Sequence, residues 1–402
     1  MRTAYKCRAY PTPEQAAVFN RTFGCARLVW NKSLSARNER YRAEGAATSY
    51  KETDAALTSW KRTEELAFLS EVSCVPLQQT LRHQHTAFQN FFTGRARRPR
   101  FKSRHGRQSV HYTRSAFRLR NGALTLAKTS SPLRFAWSFN HVDVAVLDPT
   151  MVVVSREQDG RWFVTFAVDI DAPAPAEPTG HAIGVDLGLT NLLVTSDGER
   201  RATPHQLERK IKNLARYQRR MARCRRGSRN RLKAKVRVAA AHRKVCNARR
   251  DFLHRTTARL VRAADTIAVE DLHVAGMIRN RNLARAISNA GWGELRRQLE
   301  YKCERAGRTL IVIDRWFPSS KKCSACAHVL VELTLSTRHW TCPGCRTRHD
   351  RDLNAAKNIL AAGRAVARGD SGDACGADVR RQGLALPLSA VKQETRAARR
   401  GA

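Results

Sequence analysis

Two cysteine pairs carry the strongest chemical signal in the chain: Cys323-x-x-Cys326 and Cys342-x-x-Cys345, separated by a short β-like segment. Paired knuckles at this distance have the spacing of a four-thiolate zinc ribbon. With every ligand position filled by thiolate no coordination site stays open, so the Zn²⁺ expected here is structural. The second pair runs within a few residues into "HDRDLNAAKNIL", where Asp350 and Asp352 precede an alanine-rich helical stretch. A carboxylate at that point is also what a helix N-terminus favours, through its exposed backbone amides. Two further acids hold comparable places: Asp186 ends the apolar run "HAIGVD" and Glu270 ends "TIAVE". Acids at the edge of a sheet are costly unless exposed or bound to a cation. Converging from strand, strand and helix, Asp186, Glu270 and Asp352 would make a hard oxygen site for Mg²⁺ or Mn²⁺. Such a site suits two-metal phosphodiester hydrolysis, which requires no protein general base.

The charge points to the substrate. Among 402 residues, 74 Lys and Arg stand against 34 Asp and Glu, a formal net charge of +40. Self-repulsion on that scale is relieved by a polyanion. The excess lies in every region rather than in one helix with an apolar face, which favours nucleic acid over a membrane surface. Met1 to Tyr10 lacks an apolar core of signal-peptide length and no later run approaches a membrane span, so a cytosolic protein is expected. Of 11 cysteines, Cys7, Cys25, Cys74, Cys224, Cys246, Cys303 and Cys375 stand singly. That scatter fits a reducing compartment better than a disulfide framework.

The elements that must position these groups follow from period and punctuation. "AYKCRAYPTPEQ" predicts a strand and then a helix capped by Thr12, with Pro13 in its first turn and Gln15 completing a capping box. Helical spacing continues to about Phe92, and Leu77, Leu81, Phe88 and Phe92 predict one apolar face of its last helix. After the basic run "GRARRPRFKSRHGR" the period becomes two, with hairpin turns predicted at Asn121-Gly122 and Asp159-Gly160 in a small β-rich unit, a candidate barrel. "DAPAPAEPTG" reads as a proline-stiffened linker, with a domain boundary near residue 175. Beyond it come a strand pair ("HAIGVDLGLTNLLVTSDG") and a basic helical hairpin from about His205 to Ala264, broken at "RRGSRN". The strand ending at Glu270, a helix from Trp292 to Gly307 and the buried strand "TLIVID" complete the frame. The Arg, Ala and Gly-rich tail from about Gly363 shows little apolar periodicity, and disorder is expected there.

"IGVDLGL", "VEDL" and "HDRDLNAAKNI", the last preceded by the paired knuckles, resemble the three RuvC motifs of the TnpB (OrfB-type) nucleases of insertion sequences, relatives of type V CRISPR effectors. "YPTPEQ…FGCARLVWN" and "GWGELRRQLEYKCERAG" extend the resemblance over nearly the whole chain up to the tail. It implies an α/β multidomain fold: an RNase H-like (RuvC) nuclease domain at 179–321 and 347–366, interrupted by a zinc ribbon at 322–346. A β-barrel wedge domain at 1–10 and 96–175, a helical recognition domain at 11–95 and a disordered basic tail at 367–402 are implied with it. Asp186, Glu270 and Asp352 match the catalytic acids, and Cys323, Cys326, Cys342 and Cys345 the zinc ligands. The family's usual glycine after each knuckle is here Ala327 and Arg346. The activity implied is RNA-guided cleavage of double-stranded DNA beside a short flanking motif, with a guide RNA from the transposon end. A nuclease-dead RNA-guided protein acting by occlusion is the alternative. Pairing would read sequence while Lys and Arg hold backbones. Arg97, Arg98, Arg100 and Lys102 in the basic run, and Arg219 and Arg220 in the helical hairpin, are the candidate nucleic-acid contacts. Any reader of the flanking motif is expected on the Gln78 to Gln89 helix, Gln78 and Gln79 first.

Overall fold

The structure, a computed structural model, describes residues 1–369 apart from Ala172 and Leu335, together with the backbone of 378–380. The chain divides into two compact units, residues 1–172 with 214–243, and residues 173–213 with 244–402.

In the first unit β1 (Arg2–Tyr10) leads into α1 (Pro13–Glu44). Thr12 and Gln15 cap α1 reciprocally, each side chain accepting from the other's backbone amide, and Pro13 opens the helix where no amide is needed. The helical stretch continues as α2 (Tyr50–Trp60) and α3 (Cys74–Phe92). The apolar face of α3 holds at its start, where Leu77 and Leu81 are fully buried, and fails at its end, where Phe92 is 71% exposed. Next come β2 (Gln108–Thr113), β3 (Phe117–Arg120), β4 (Ala123–Leu126), β5 (Arg134–Ala136), β6 (Pro149–Arg156) and β7 (Trp162–Asp169). Both hairpins turn where predicted, with φ of 48° and 75° at Asn121 and Gly122 and of 84° at Gly160.

The expected barrel is not closed. The strands form an open antiparallel sheet in the order β2-β6-β7-β1-β5, with β3 and β4 as a separate hairpin. Among the described residues no pairing joins β5 to β2; β2 instead lies against α1 and α3, which bury Val110 and Tyr112 in one core with Phe19 and Leu81. The helices thus take up the sheet face that closure would have needed.

The second unit opens with the linker, which is fastened rather than free: the amide of Ala176 donates to the Ala306 carbonyl, and those of Thr179 and Gly180 to the Asp265 carboxylate. Then come β8 (Ala182–Asp186), β9 (Asn191–Thr195), β10 (Arg200–Ala202), α4 (His205–Ala222), α5 (Arg229–Ala263) and β11 (Thr266–Glu270), of which the end of α4 and the first part of α5, within 214–243, belong to the first unit. Short α6 (Val274–Met277) and α7 (Ala284–Ala290) precede α8 (Trp292–Ala306), which ends at the left-handed Gly307 (φ 66°), and β12 (Thr309–Ile313). The cysteine-rich insertion contributes β13 (His339–Thr341) and β14 (Arg348–Asp350), and α9 (Arg351–Arg368) and β15 (Asp378–Arg380) follow.

The sheet order is β10-β9-β8-β11-β12-β15: an antiparallel meander through β8, then parallel pairing of β8, β11 and β12. Helix α9 lies across β8 and β11, and it can do so only where the surfaces are bare. A Cβ on Gly184 would fall 2.1 Å from the Ala356 carbonyl oxygen, and one on Gly363 would fall 2.6 Å from the Ala268 methyl. Glycine on the strand and Gly363, Ala355 and Ala356 on the helix bring helix and sheet together. Disorder was expected from about Gly363, but α9 continues to Arg368 and β15 adds an antiparallel edge strand to β12; the rest of the 367–402 tail lies outside the described residues. No helix among the described residues is long and apolar enough to cross a membrane.

Candidate active site and metal centre

Parallel pairing sets Val185 against Val269, so the next residues, Asp186 and Glu270, end neighbouring strands at one edge of the sheet. Ligand sites of open α/β sheets form at such carboxyl ends. Asp352 enters from above, in the first turn of α9. The acids feel one another: burial first, then Asp352 and Glu270, push the Asp186 carboxyl up to about 7. Glu270 is also pushed up to about 7, by burial and then by Asp271.

The neighbouring acids behave in the opposite way. Burial opposes ionisation of Asp350, but the Leu353 amide (2.9 Å) and the Arg200 guanidinium (2.9 Å) hold it below the ordinary carboxylate range. It is the N-cap of α9. Its cation is Arg200 rather than the nearer-in-sequence Arg348 or Arg351, because β10 brings Arg200 alongside. Asp271 is likewise hydrogen-bonded by Arg296 and Arg315, which outweigh burial and keep it charged. Within one cluster, then, arginines and a helix amide outweigh burial at Asp350 and Asp271, whereas at Asp186 burial and the neighbouring acids outweigh the influence of Arg351, and at Glu270 burial prevails. Among the described residues Asp352 makes one ion pair, a 3.6 Å contact with Arg338.

The four cysteines form a tighter group. Among the described residues they are the one set of three or more Cys, His, Asp or Glu whose ligand atoms all lie within 4.8 Å of one another. Sulfur separations of 3.7 Å (Cys323 to Cys345) and 3.6 Å (Cys326 to Cys342) match the roughly 3.8 Å edge of a tetrahedron with metal–sulfur arms of about 2.3 Å. Each knuckle turns back on itself, the amides of Ala327 and Arg346 donating to the carbonyls of Cys323 and Cys342. That turn requires the left-handed conformation, and Ala327 (φ 63°) and Arg346 (φ 59°) adopt it without being glycine.

Three residues around this group were not singled out from the sequence. His349 Nε2 lies 3.0 Å from Cys323 Sγ, its ring packed on Trp340. Asn354 accepts from the Ser324 amide and donates to the Lys322 carbonyl, and Asn358 donates to the carbonyls of Ser319 and Lys322. Both asparagines tie the first knuckle to α9, the helix that carries Asp352. Their four-residue spacing on an otherwise alanine-rich face is the signal that could have found them.

The candidate nucleic-acid contacts divide. Arg97, Arg98, Arg100, Arg219 and Arg220 are exposed. Lys102 sits with its ammonium 3.9 Å from the Trp30 ring centroid, and its backbone amide donates to Asn31. Gln78 is half-buried, whereas Gln79 is only 8% exposed and faces the core, so its amide is not offered to a base edge. Gln84 is wholly buried and joins the Ser33 hydroxyl to the Trp30 carbonyl.

The OrfB_IS605 family profile, described as "Probable transposase", matches residues 165–281, and a profile described as "Cas12f1-like, TNB domain" matches residues 292–359. A third, described as "Helix-turn-helix domain", matches residues 1–46, which here form one strand and one unbroken helix. A Streptomyces pristinaespiralis protein named "Putative RNA-guided DNA endonuclease" is 50% identical over 100% of this chain and 98% of its own length. Escherichia coli K12 InsQ, which bears the same name, is 30% identical over 90% of this chain and 92% of its own. The cryo-EM structure of a Cas12f1–sgRNA–target DNA complex aligns with a TM-score of 0.55 at 16% identity, covering 87% of this chain and 83% of that one, a likeness of fold. Matched end to end by a relative that shares half its residues, the chain belongs to the OrfB (TnpB-type) family of transposase-related proteins.

Proposed function

We propose that the chain is a transposon-encoded, RNA-guided endonuclease of double-stranded DNA whose catalytic carboxylates are Asp186, Glu270 and Asp352. The observation that carries the reading is the split in charge compensation: arginines and a helix amide neutralise Asp271 and Asp350, while burial leaves Asp186 and Glu270 reluctant to ionise. Acids that are desolvated and make no ion pair among the described residues are the arrangement a divalent cation completes. The names borne by the relatives at 50% and 30% identity support the activity. When bound, a pair of Mg²⁺ or Mn²⁺ ions supplies an activated water and stabilises the leaving oxygen of a phosphodiester. Asp186 and Glu270, fixed on paired strands, and Asp352, fixed on a capped helix, hold their oxygens on rigid elements, and no side chain has to move a proton. The cysteine quartet takes Zn²⁺ in a closed structural role, clipping the insertion so that Asn354 and Asn358 locate α9.

The basic surface then binds two polyanions, a guide RNA from the transposon end and its DNA target, in the cytoplasm where the nucleoid lies. On this reading residues 179–321 and 347–366 are the nuclease domain, 322–346 the ribbon, 11–95 the recognition helices, and 1–10 with 96–175 a wedge built on the open sheet. The test is to purify the protein from cells carrying its own locus, sequence the RNA it retains, and incubate the complex with matching linear DNA. Cleavage in magnesium that Asp186→Ala abolishes, with DNA binding intact, supports the reading. Wild type that binds matching DNA and leaves it whole in both Mg²⁺ and Mn²⁺ replaces it with occlusion.

A further inference from the structure

The end of α3, where the apolar face runs out, borders a cavity of about 660 Å³ enclosed with α1 and the approach to α2. That volume falls in the range of small-molecule sites, roughly 300–1,000 Å³. Its walls are aromatic. Phe88 and Phe92 stack with centroids 6.2 Å apart, and Tyr41, 59% exposed, stands among the residues lining the opening. Arg37, 8% exposed, lays its guanidinium 5.2 Å from the Phe88 ring centroid. Its Nη atoms donate to the carbonyls of Thr48 and Ser49, whereas its Nε is buried with no partner. Asn38 uses its side-chain oxygen to accept from Arg98 (2.8 Å), so its NH₂ remains available at the cavity, as does the side-chain amide of Gln89.

Flat aromatic walls, a stacked guanidinium and unspent amides match the face and edge of a nucleobase. We infer that this cavity of the first unit receives one unpaired nucleotide of the bound RNA, its base stacked on Phe92 and Phe88 and its edge read by Asn38 and Gln89. The exposed arginines Arg95, Arg97, Arg98 and Arg100 follow α3 directly in sequence, and Arg98 itself lines the cavity, so a phosphate is matched as well as a base. A second copy of this chain is the poorer occupant, because a two-fold contact would set that arginine run near its own image. RNA is favoured over DNA by Glu52, also in the lining: its oxygens accept from the Ser49 amide and Arg40, and a carboxylate keeps further lone pairs for a 2′-hydroxyl.

The inference rests on the RNA-binding part of the proposed function, and the test separates the two. Full-length protein is titrated with a short single-stranded oligo(A) RNA, the same RNA carrying abasic sites, and the matching DNA. Wild type should prefer the intact RNA to the abasic one by about tenfold. Tyr41→Ala with Phe92→Ala should lose that tenfold with an unchanged dependence of log K on log salt, since no phosphate contact is removed. Phe92→Tyr should keep it. Both mutated positions are exposed, so the fold should survive. The inference fails if the double variant binds intact RNA as wild type does, if DNA binds as tightly as RNA, or if the variant changes self-association and leaves RNA affinity alone. Wild type that binds no RNA at all removes the RNA-guided reading itself, and this inference with it.

Discussion

The cysteine quartet and the acid cluster are assembled in opposite ways. The cysteines come in two local turns, and backbone hydrogen bonds within each knuckle bring four sulfurs within 4.8 Å of one another. The acids come from two strands and a helix far apart in sequence, and only the folded sheet assembles them. A thiolate quartet closes its metal off, which suits a structural clip. The half-buried carboxylates Asp186 and Glu270 make no ion pair among the described residues, and the influence of Arg351 on Asp186 does not offset burial and the neighbouring acids. The lesson is that compensation, more than proximity, separates the two kinds of acid here: Asp350 and Asp271 lie beside the same cluster and are already paired.

The comparison can be broken hardest at the acids. Asp186→Ala should lower the magnesium-dependent cleavage rate by at least about a thousandfold while leaving guided binding intact, since charge stabilisation by the ion contributes several kcal/mol. Loss of binding together with cleavage, measured on the same preparation, would point to a folding role instead. Next in size, Cys326→Ser should release the quartet's zinc, measured by metal analysis, and make residues 323–345 protease-sensitive while the antiparallel sheet of the first unit keeps its hydrogen-exchange protection.

A smaller effect reads directly how reluctantly Asp186 ionises. In metal-free protein the Asp186 carboxyl, raised to about 7, keeps a proton in the folded state that the unfolded chain gives up near its ordinary value of about 4. Stability should therefore fall as pH climbs from about 4 to about 7 and then level off. Asp186→Asn should flatten that slope and raise the melting temperature most at pH 8; equal gains at pH 4 and pH 8 would deny that reluctance. Smallest of all, Ala327→Gly or Arg346→Gly should stabilise the ribbon by about 1 kcal/mol each, by relieving a left-handed backbone that non-glycine residues resist. Denaturation of the zinc-loaded protein measures it.

These regions also differ in how far they could be read ahead of the fold. Knuckle spacing is a local property, and so is an acid that closes a short apolar strand, which is why the cysteines, Asp186 and Glu270 stand out from residue order alone. The Asn121-Gly122 turn and the Thr12–Gln15 capping box are local for the same reason. What escaped depends on partners distant in sequence. Arg200 reaches Asp350 across 150 residues through the β9–β10 meander, and Asn358 meets Ser319 only once the insertion folds back. Periodicity placed Phe92 on a buried face because a helix repeats whether or not the core beneath it continues. The open edge of the first sheet was hidden too, since alternation marks strands but is silent on which edges meet.

The most direct test of the central claim compares two neighbours in one magnesium-dependent assay on guide-matched DNA. Asp350 caps α9 and pairs with Arg200, so Asp350→Asn should cost about 1 kcal/mol of stability and a modest share of the rate. Asp352 is the third carboxylate of the proposed metal site, so Asp352→Asn should be inactive while folding and binding as wild type does. A dead Asp350→Asn beside an active Asp352→Asn would contradict the account.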